Sequence, residues 1–142
     1  MRRTPWTVAG VAFALAFASG GCGDDDFAND ARAPTPLILS ASITPTDVTV
    51  SPSRLGAGAI ELIASNLTPR SQRLTLRSQS LTGGADPLQQ RTGPINPGDT
   101  ASLTADLAPG TYRVTTGSAA IAPATIRVGP ARPSAQDQLV QP

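Results

Sequence analysis

The feature that most constrains the fold is a turn–strand–turn–strand pattern over residues 97–114, PGDTASLTADLAPGTYRV. Two Pro-Gly pairs bracket a stretch in which apolar and polar side chains alternate. Proline favours the second position of a β-turn, and glycine takes the positive φ that often follows it. Alternation with a period of two turns one face of a strand to a core and the other to water. The pattern predicts two strands of an all-β domain, with Tyr112 and Val114 on the buried face of the second.

Similar short stretches recur at intervals of roughly ten residues, which favours a β-sandwich or barrel with a core of Leu, Ile, Val, Ala and Tyr112. Residues 37–39 either open a first strand or pack on the edge of the domain. Residues 53–59 (SRLGAGA) are predicted to be a glycine-rich turn. Further strands are predicted at residues 48–51, 59–66, 73–78, 101–107, 112–114 and 124–128, with a short edge strand within 88–95.

The composition narrows the possible chemistry. The chain of 142 residues contains no His and a single Cys, and all 11 of its basic residues are Arg. It therefore lacks imidazole, which is the commonest general base and a frequent metal ligand. We expect no catalytic residue, no metal site and no cofactor, and an enzyme built on Ser, Asp, Glu, Arg or Tyr is the lesser alternative. Residues 22–142 hold 9 Arg against 10 acids, so the charge gives no case for nucleic acid.

The first residues have the order of an export signal. Arg2 and Arg3 precede an apolar run at residues 8–18, and small residues follow it. The sequence Ser19-Gly20-Gly21-Cys22 resembles the lipobox of bacterial lipoproteins, in which the Cys is diacylated and becomes the new N-terminus. That family prefers Leu where this chain has Ser19. The resemblance implies a signal peptide over residues 1–21 and a lipid anchor at Cys22, with plain secretion as the alternative.

The segments that flank the predicted domain are polar. Residues 22–40 are predicted to be a flexible tether, and its four carboxylates lack the spacing of a calcium loop. The sandwich is predicted over residues 41–130 and an exposed tail over residues 131–142.

The order of pieces between Val48 and Val128 is similar to that of cupredoxin-like domains. The opening strands with an Asn after the second, and the later hairpin ending in GTYRV, carry this resemblance. It implies a small Greek-key sandwich of the cupredoxin-like or Ig-like type. Copper cupredoxins use His, Cys and Met from two loops, which correspond here to residues 70–74 (RSQRL) and 115–123 (TTGSAAIAP). Neither segment contains such a ligand, so the resemblance implies a sandwich without copper.

These observations predict a membrane-anchored module of the bacterial cell envelope that binds or supports a partner without catalysis. The partner would be an envelope protein or an acidic polymer, and the membrane would be contacted through the anchor. Arg73, Arg77 and Arg113 point outward from their predicted strands and are the candidate partner-facing residues. The alternatives are that these arginines only solubilise the surface, or that the domain carries a small ligand.

Overall fold

The computed structural model describes residues 35–133, which form eight strands and no helix. The predicted signal peptide, Cys22 and all but the first residues of the predicted tail lie outside the described residues. Among residues 35–133, no helix is long and apolar enough to cross a membrane. The strands are β1 (Leu37–Ile43), β2 (Val48–Ser51), β3 (Arg54–Asn66), β4 (Thr75–Leu81), β5 (Gln89–Arg91), β6 (Thr100–Leu107), β7 (Gly110–Thr115) and β8 (Ala124–Ala131).

The strands form two sheets that share the long strand β3. The four-stranded sheet has the order β2-β1-β3-β6, in which β1 and β3 are parallel. The five-stranded sheet has the order β3-β8-β7-β4-β5, in which β3 and β8 are parallel. Within the described residues, the strand order runs from β2 at one end to β5 at the other. These two strands do not pair with each other, so the strands do not close into a barrel. The predicted all-β sandwich is confirmed.

One apolar core lies between the sheets and is built from rows of side chains that cross each sheet. Leu39, Leu62 and Leu103 are opposite one another in the four-stranded sheet, and all three are buried. Tyr112 lies opposite Ile126 in the other sheet and is the largest fully buried side chain. Because side chains alternate along each strand, the same strands present their polar residues to water. The aliphatic core around Tyr112 is therefore as predicted.

Strand β3 corrects the predicted turn at residues 53–59. The segment is extended from Arg54 onward, and its inward-facing residues change from the partly buried Leu55 and the buried Ala57 to the buried Ile60 and Leu62. Burial thus passes from odd to even positions where the strand leaves one sheet for the other. Gly58, with a φ of +124°, lies at this change. Glycine here allows a bend within a continuous strand, which the composition of the segment does not distinguish from a turn.

Arg132 holds this bend from outside the strand. Its guanidinium donates to the carbonyl oxygens of Ala57 at 3.4 Å and Ala59 at 2.6 Å. A Cβ added to Gly56 would lie 2.6 Å from Cγ of Arg132. The missing side chain at Gly56 therefore leaves the room in which Arg132 crosses the strand.

The sandwich begins inside the stretch that the sequence assigned to the tether. Residues 37–39 belong to β1, which pairs with β3 from Leu37 opposite Ile60 to Ile43 opposite Asn66. Leu39 and Ile43 are fully buried there, and burial of apolar area favours the strand over a free segment. Of the two alternatives for residues 37–39, the first strand is the one that the structure has.

Tyr112 ties the β6–β7 turn to the core. Its hydroxyl donates to the carbonyl oxygen of Ala108, four residues earlier, at 2.9 Å. A tyrosine that bonds back to the backbone a few residues upstream is the tyrosine corner of Greek-key sandwiches. Burial raises the pKa of Tyr112 above its ordinary value of 10.0, and the charge of Asp106 acts in the same direction.

Candidate anion-binding site

The outer surface of the five-stranded sheet is rich in arginine. Along β4, β7 and β8 the alternate residues Leu76, Val114 and Ile126 point into the core, so their neighbours point outward. Six of the eight arginines within residues 35–133 lie on this side. We call it the arginine face; its members are Arg54, Arg73, Arg77, Arg91, Arg113 and Arg127.

A shallow cavity of about 430 Å³ opens on the part of the arginine face formed by β5, β4 and β7. Its lining includes no acidic side chain, and hydroxyl and amide groups complete the wall. Four guanidinium groups without a carboxylate make a site of positive potential that is suited to an anion. The lining residues are Arg73, Thr75, Arg77, Gln89, Arg91, Arg113, Thr115, Thr116 and Gly117.

Strand pairing forces two of these positive charges together. Arg77 on β4 lies directly opposite Arg113 on β7. Directly opposed side chains have Cβ atoms about 5 Å apart, and like charges at that distance destabilise a sheet. An anion that binds both guanidinium groups would remove this repulsion.

A neighbouring threonine contacts the arginine at the sheet edge. Nε of Arg91 on β5 donates to Oγ1 of Thr75 on β4 at 3.3 Å. This bond uses one of the five N–H groups of a guanidinium and leaves the terminal groups to contact a ligand. Gln89 lies opposite Arg77 on the other side of β4 and adds an amide to the same row.

A second depression, of about 260 Å³, continues the arginine face toward β3. It is lined by Ser53, Arg54, Thr125 and Arg127. Thr125 lies directly opposite Arg113, which lines the first cavity, so the two depressions are adjacent on the sheet. Arg127 lies opposite Arg54 across the parallel β3–β8 pair.

The acidic residues of the described chain lie elsewhere. None of the five acids within residues 35–133 lines either depression. Glu61 on β3 and Asp106 on β6 belong to the four-stranded sheet, whose outer face is otherwise mainly Ser and Thr. The nearly neutral composition therefore conceals a sandwich with one strongly basic side.

The three arginines named from the sequence all lie at one cavity, since Arg73, Arg77 and Arg113 each line it. Sequence reasoning did not name Arg54, Arg91 or Arg127 as partner-facing. Arg91 lies on a three-residue strand, which is too short for a visible alternation. Arg54 lies in the segment predicted as a turn. Cys22, the predicted lipidation site, lies outside the described residues.

The two loops that correspond to copper loops in the cupredoxin resemblance meet at one end of the sandwich. A depression of about 150 Å³ is lined by Arg70 and Gln72 from one loop and by Ser118 and Ile121 from the other. Within residues 35–133 no group of three or more His, Cys, Asp or Glu is placed to hold a metal ion. Guanidinium, amide and hydroxyl groups do not fit the soft nitrogen and sulfur ligands of a copper centre.

Asn66 fixes the shape of this end. Its side chain is fully buried, and its Nδ2 donates at 2.8 Å to the carbonyl oxygens of Arg70 and Ile95. Its Oδ1 accepts from the backbone N–H and the hydroxyl of Thr68 at 3.0 and 2.8 Å. All four hydrogen bonds of the amide are satisfied within the protein, so Asn66 is a structural residue here.

No protein-family model matches the chain, and no curated protein matches it. Eight chains of solved structures match, among them the multicopper oxidase mgLAC. That match has a TM-score of 0.42 and 11% sequence identity, and it covers 75% of this chain and 42% of the oxidase chain. The chain thus spans less than half the length of the oxidase. A likeness at this level carries no argument about activity, and the all-β sandwich rests on its own strand pairing.

Proposed function

We propose that the chain is a non-catalytic binding module of the bacterial cell envelope, anchored to a membrane through Cys22, that binds anionic groups on its arginine face. The observation that carries the proposal is the cavity lined by four arginines and no acid. The planar guanidinium presents a fork of N–H donors that matches carboxylate and phosphate oxygens in pairs. Arginine is thus better suited than lysine to recognise the geometry of such groups.

The chemistry of the lining supports binding rather than turnover. Besides arginine, the lining has hydroxyl and amide groups such as those of Thr75, Thr115 and Gln89, and it includes no Asp, Glu, Cys, Lys or Tyr. General acid–base catalysis needs a group whose pKa lies near the working pH. This lining can hold an anion by charge and hydrogen bonds, but it has no side chain that would take or give a proton.

The predicted anchor completes the proposal. A signal peptide followed by the lipobox-like stretch before Cys22 would place the module on a membrane surface, and two acyl chains there suffice for stable attachment. The polar segment that follows, with four Asp, would separate the sandwich from the lipid headgroups. The arginine face would then meet anionic components of the envelope.

The proposal is tested with the full-length chain and two anionic probes, trigalacturonate and tripolyphosphate, by isothermal titration calorimetry at low salt. We expect the wild type to bind at least one probe, and Arg77→Ser/Arg113→Ser to bind it at least tenfold more weakly. The matched control is Arg70→Ser/Ser102→Asp, which loses the same net charge at an end of the sandwich and on the other sheet. Equal weakening by the control, or no binding by the wild type, would overturn the proposal.

A further inference from the structure

The arginines of the arginine face form a diagonal band across five strands. Residues that lie directly opposite one another on neighbouring strands form a row across the sheet. Arg77 on β4 and Arg113 on β7 share one row, and Arg91 on β5 lies in the row before it. Arg127 on β8 and Arg54 on β3 share the next row. Each row is two residues from the last, so the band advances along the strands as it crosses them. We call these five residues the arginine track.

The length of the arginine track follows from sheet geometry. Four steps between strands at about 4.8 Å, combined with two row steps of about 6.6 Å, give about 23 Å from Arg91 to Arg54. One carboxylate or phosphate group contacts two or three guanidinium groups at most. A ligand that uses the whole track must therefore be elongated and must carry several anionic groups in sequence.

The residues between the arginines indicate what kind of polymer fits. Threonine hydroxyls flank the track in every row, at Thr75, Thr115, Thr125 and Thr111. These groups donate and accept hydrogen bonds, as sugar hydroxyls do. Among residues 35–133 the single aromatic side chain is Tyr112, which is buried in the core, so the track offers no ring on which a nucleic-acid base could stack.

We infer that the arginine track binds a linear acidic polysaccharide whose sugars carry carboxylate groups. The inference rests on the proposed anion-binding function and adds the class of ligand and the extent of its site. The carboxylates would pair with successive guanidinium groups, while sugar hydroxyls would exchange hydrogen bonds with the threonines. The cavity around Arg77 and Arg113 would bind a short segment, and Arg127 and Arg54 would hold the polymer beyond it.

The test compares a long and a short ligand of the same chemistry on the full-length chain. The probes are polygalacturonate and trigalacturonate, and the variant is Arg54→Ser/Arg127→Ser, with Arg70→Ser/Ser102→Asp as the charge-matched control. We expect the variant to bind polygalacturonate at least tenfold more weakly than the control does, while its affinity for trigalacturonate stays within twofold of wild type. Far-ultraviolet circular dichroism establishes that each variant is folded.

The outcomes separate this inference from the function on which it rests. One outcome is that Arg54→Ser/Arg127→Ser and the control bind polygalacturonate equally, while Arg77→Ser/Arg113→Ser still binds trigalacturonate more weakly than wild type. That outcome would refute binding along the whole arginine track and would support anion binding in the cavity. If the wild type binds neither polygalacturonate nor trigalacturonate, the polysaccharide inference is refuted. Titration with tripolyphosphate then shows separately whether the cavity binds anions. Tighter binding of duplex DNA or of phosphatidylglycerol vesicles than of polygalacturonate at the same salt would overturn the assignment to a polysaccharide.

Discussion

Replacing Tyr112 by Phe removes one hydroxyl from the corner between β6 and β7 and leaves the buried ring in place. The hydroxyl donates to the carbonyl oxygen of Ala108 at 2.9 Å, and a hydrogen bond of this kind contributes a net 0.5–1.5 kcal/mol, or about 1 kcal/mol, to the free energy of unfolding. For a domain of this size, about 1 kcal/mol corresponds to a fall in Tm of about 4–8 °C. We expect that fall for Tyr112→Phe at pH 7, measured by circular dichroism.

The same substitution has a second, independent consequence at high pH. Because burial raises the pKa of Tyr112, the folded state disfavours the phenolate more than the unfolded chain does. This contribution to stability is present below the unfolded pKa of 10.0 and is lost as the pH rises through the higher folded value. The chain has no Lys or His and a single Tyr, so few other side chains titrate in this range.

Wild-type protein should therefore lose stability as the pH rises above about 9, whereas Tyr112→Phe should show a much flatter profile. The two unfolding curves should approach each other as the pH rises, since the advantage of the hydroxyl disappears when it ionises. An unchanged Tm at pH 7, or an equally steep loss of stability in the Phe variant above pH 9, would refute the reasoning.

Two further predictions concern the predicted anchor and the end of the sandwich. Cys22→Ser should move the protein from the membrane fraction to the soluble fraction, and a variant that stays with the membrane would show that the anchor lies elsewhere. Asn66→Ala should lower the free energy of unfolding by about 3 kcal/mol, because it removes the four hydrogen bonds of a fully buried amide and leaves the backbone N–H of Thr68 without its partner. The matched control is Asn96→Ala, which removes an exposed hydrogen bond to Asp99 and should lower the free energy of unfolding by less than about 0.5 kcal/mol. Both variants are measured by urea unfolding, and equal effects would contradict the structural role of Asn66.

Local alternation accounts for the part of the fold that could be predicted. The pattern around Leu103 and Leu107 fixed the buried face of β6, and Tyr112 was placed in the core from its position after the second turn. Turn residues and period-two patterns act within a few residues, so a single sequence reveals them. The prediction was wrong only for the first part of β3, residues 54–58, where Arg132, far away in the sequence, bonds the backbone around the bend at Gly58.

The arginine face shows the limit of the same reasoning. Alternation indicated that Arg77 and Arg113 point outward, but only the order of strands places them opposite each other. That order depends on contacts between segments distant in the sequence, and no pattern in either segment specifies its neighbour. The net charge was equally uninformative, since the acids of the described chain lie away from the arginines.

The salt dependence of binding tests the central claim, that the arginine face binds an anionic polymer, most directly. The affinity of the full-length chain for polygalacturonate should fall steeply with salt, and the slope of log Kd against log salt concentration should decrease by roughly one for each arginine removed. Arg77→Ser/Arg113→Ser should thus be shallower by about two, while Arg70→Ser/Ser102→Asp should keep the wild-type slope. Equal slopes for all three proteins would contradict the account.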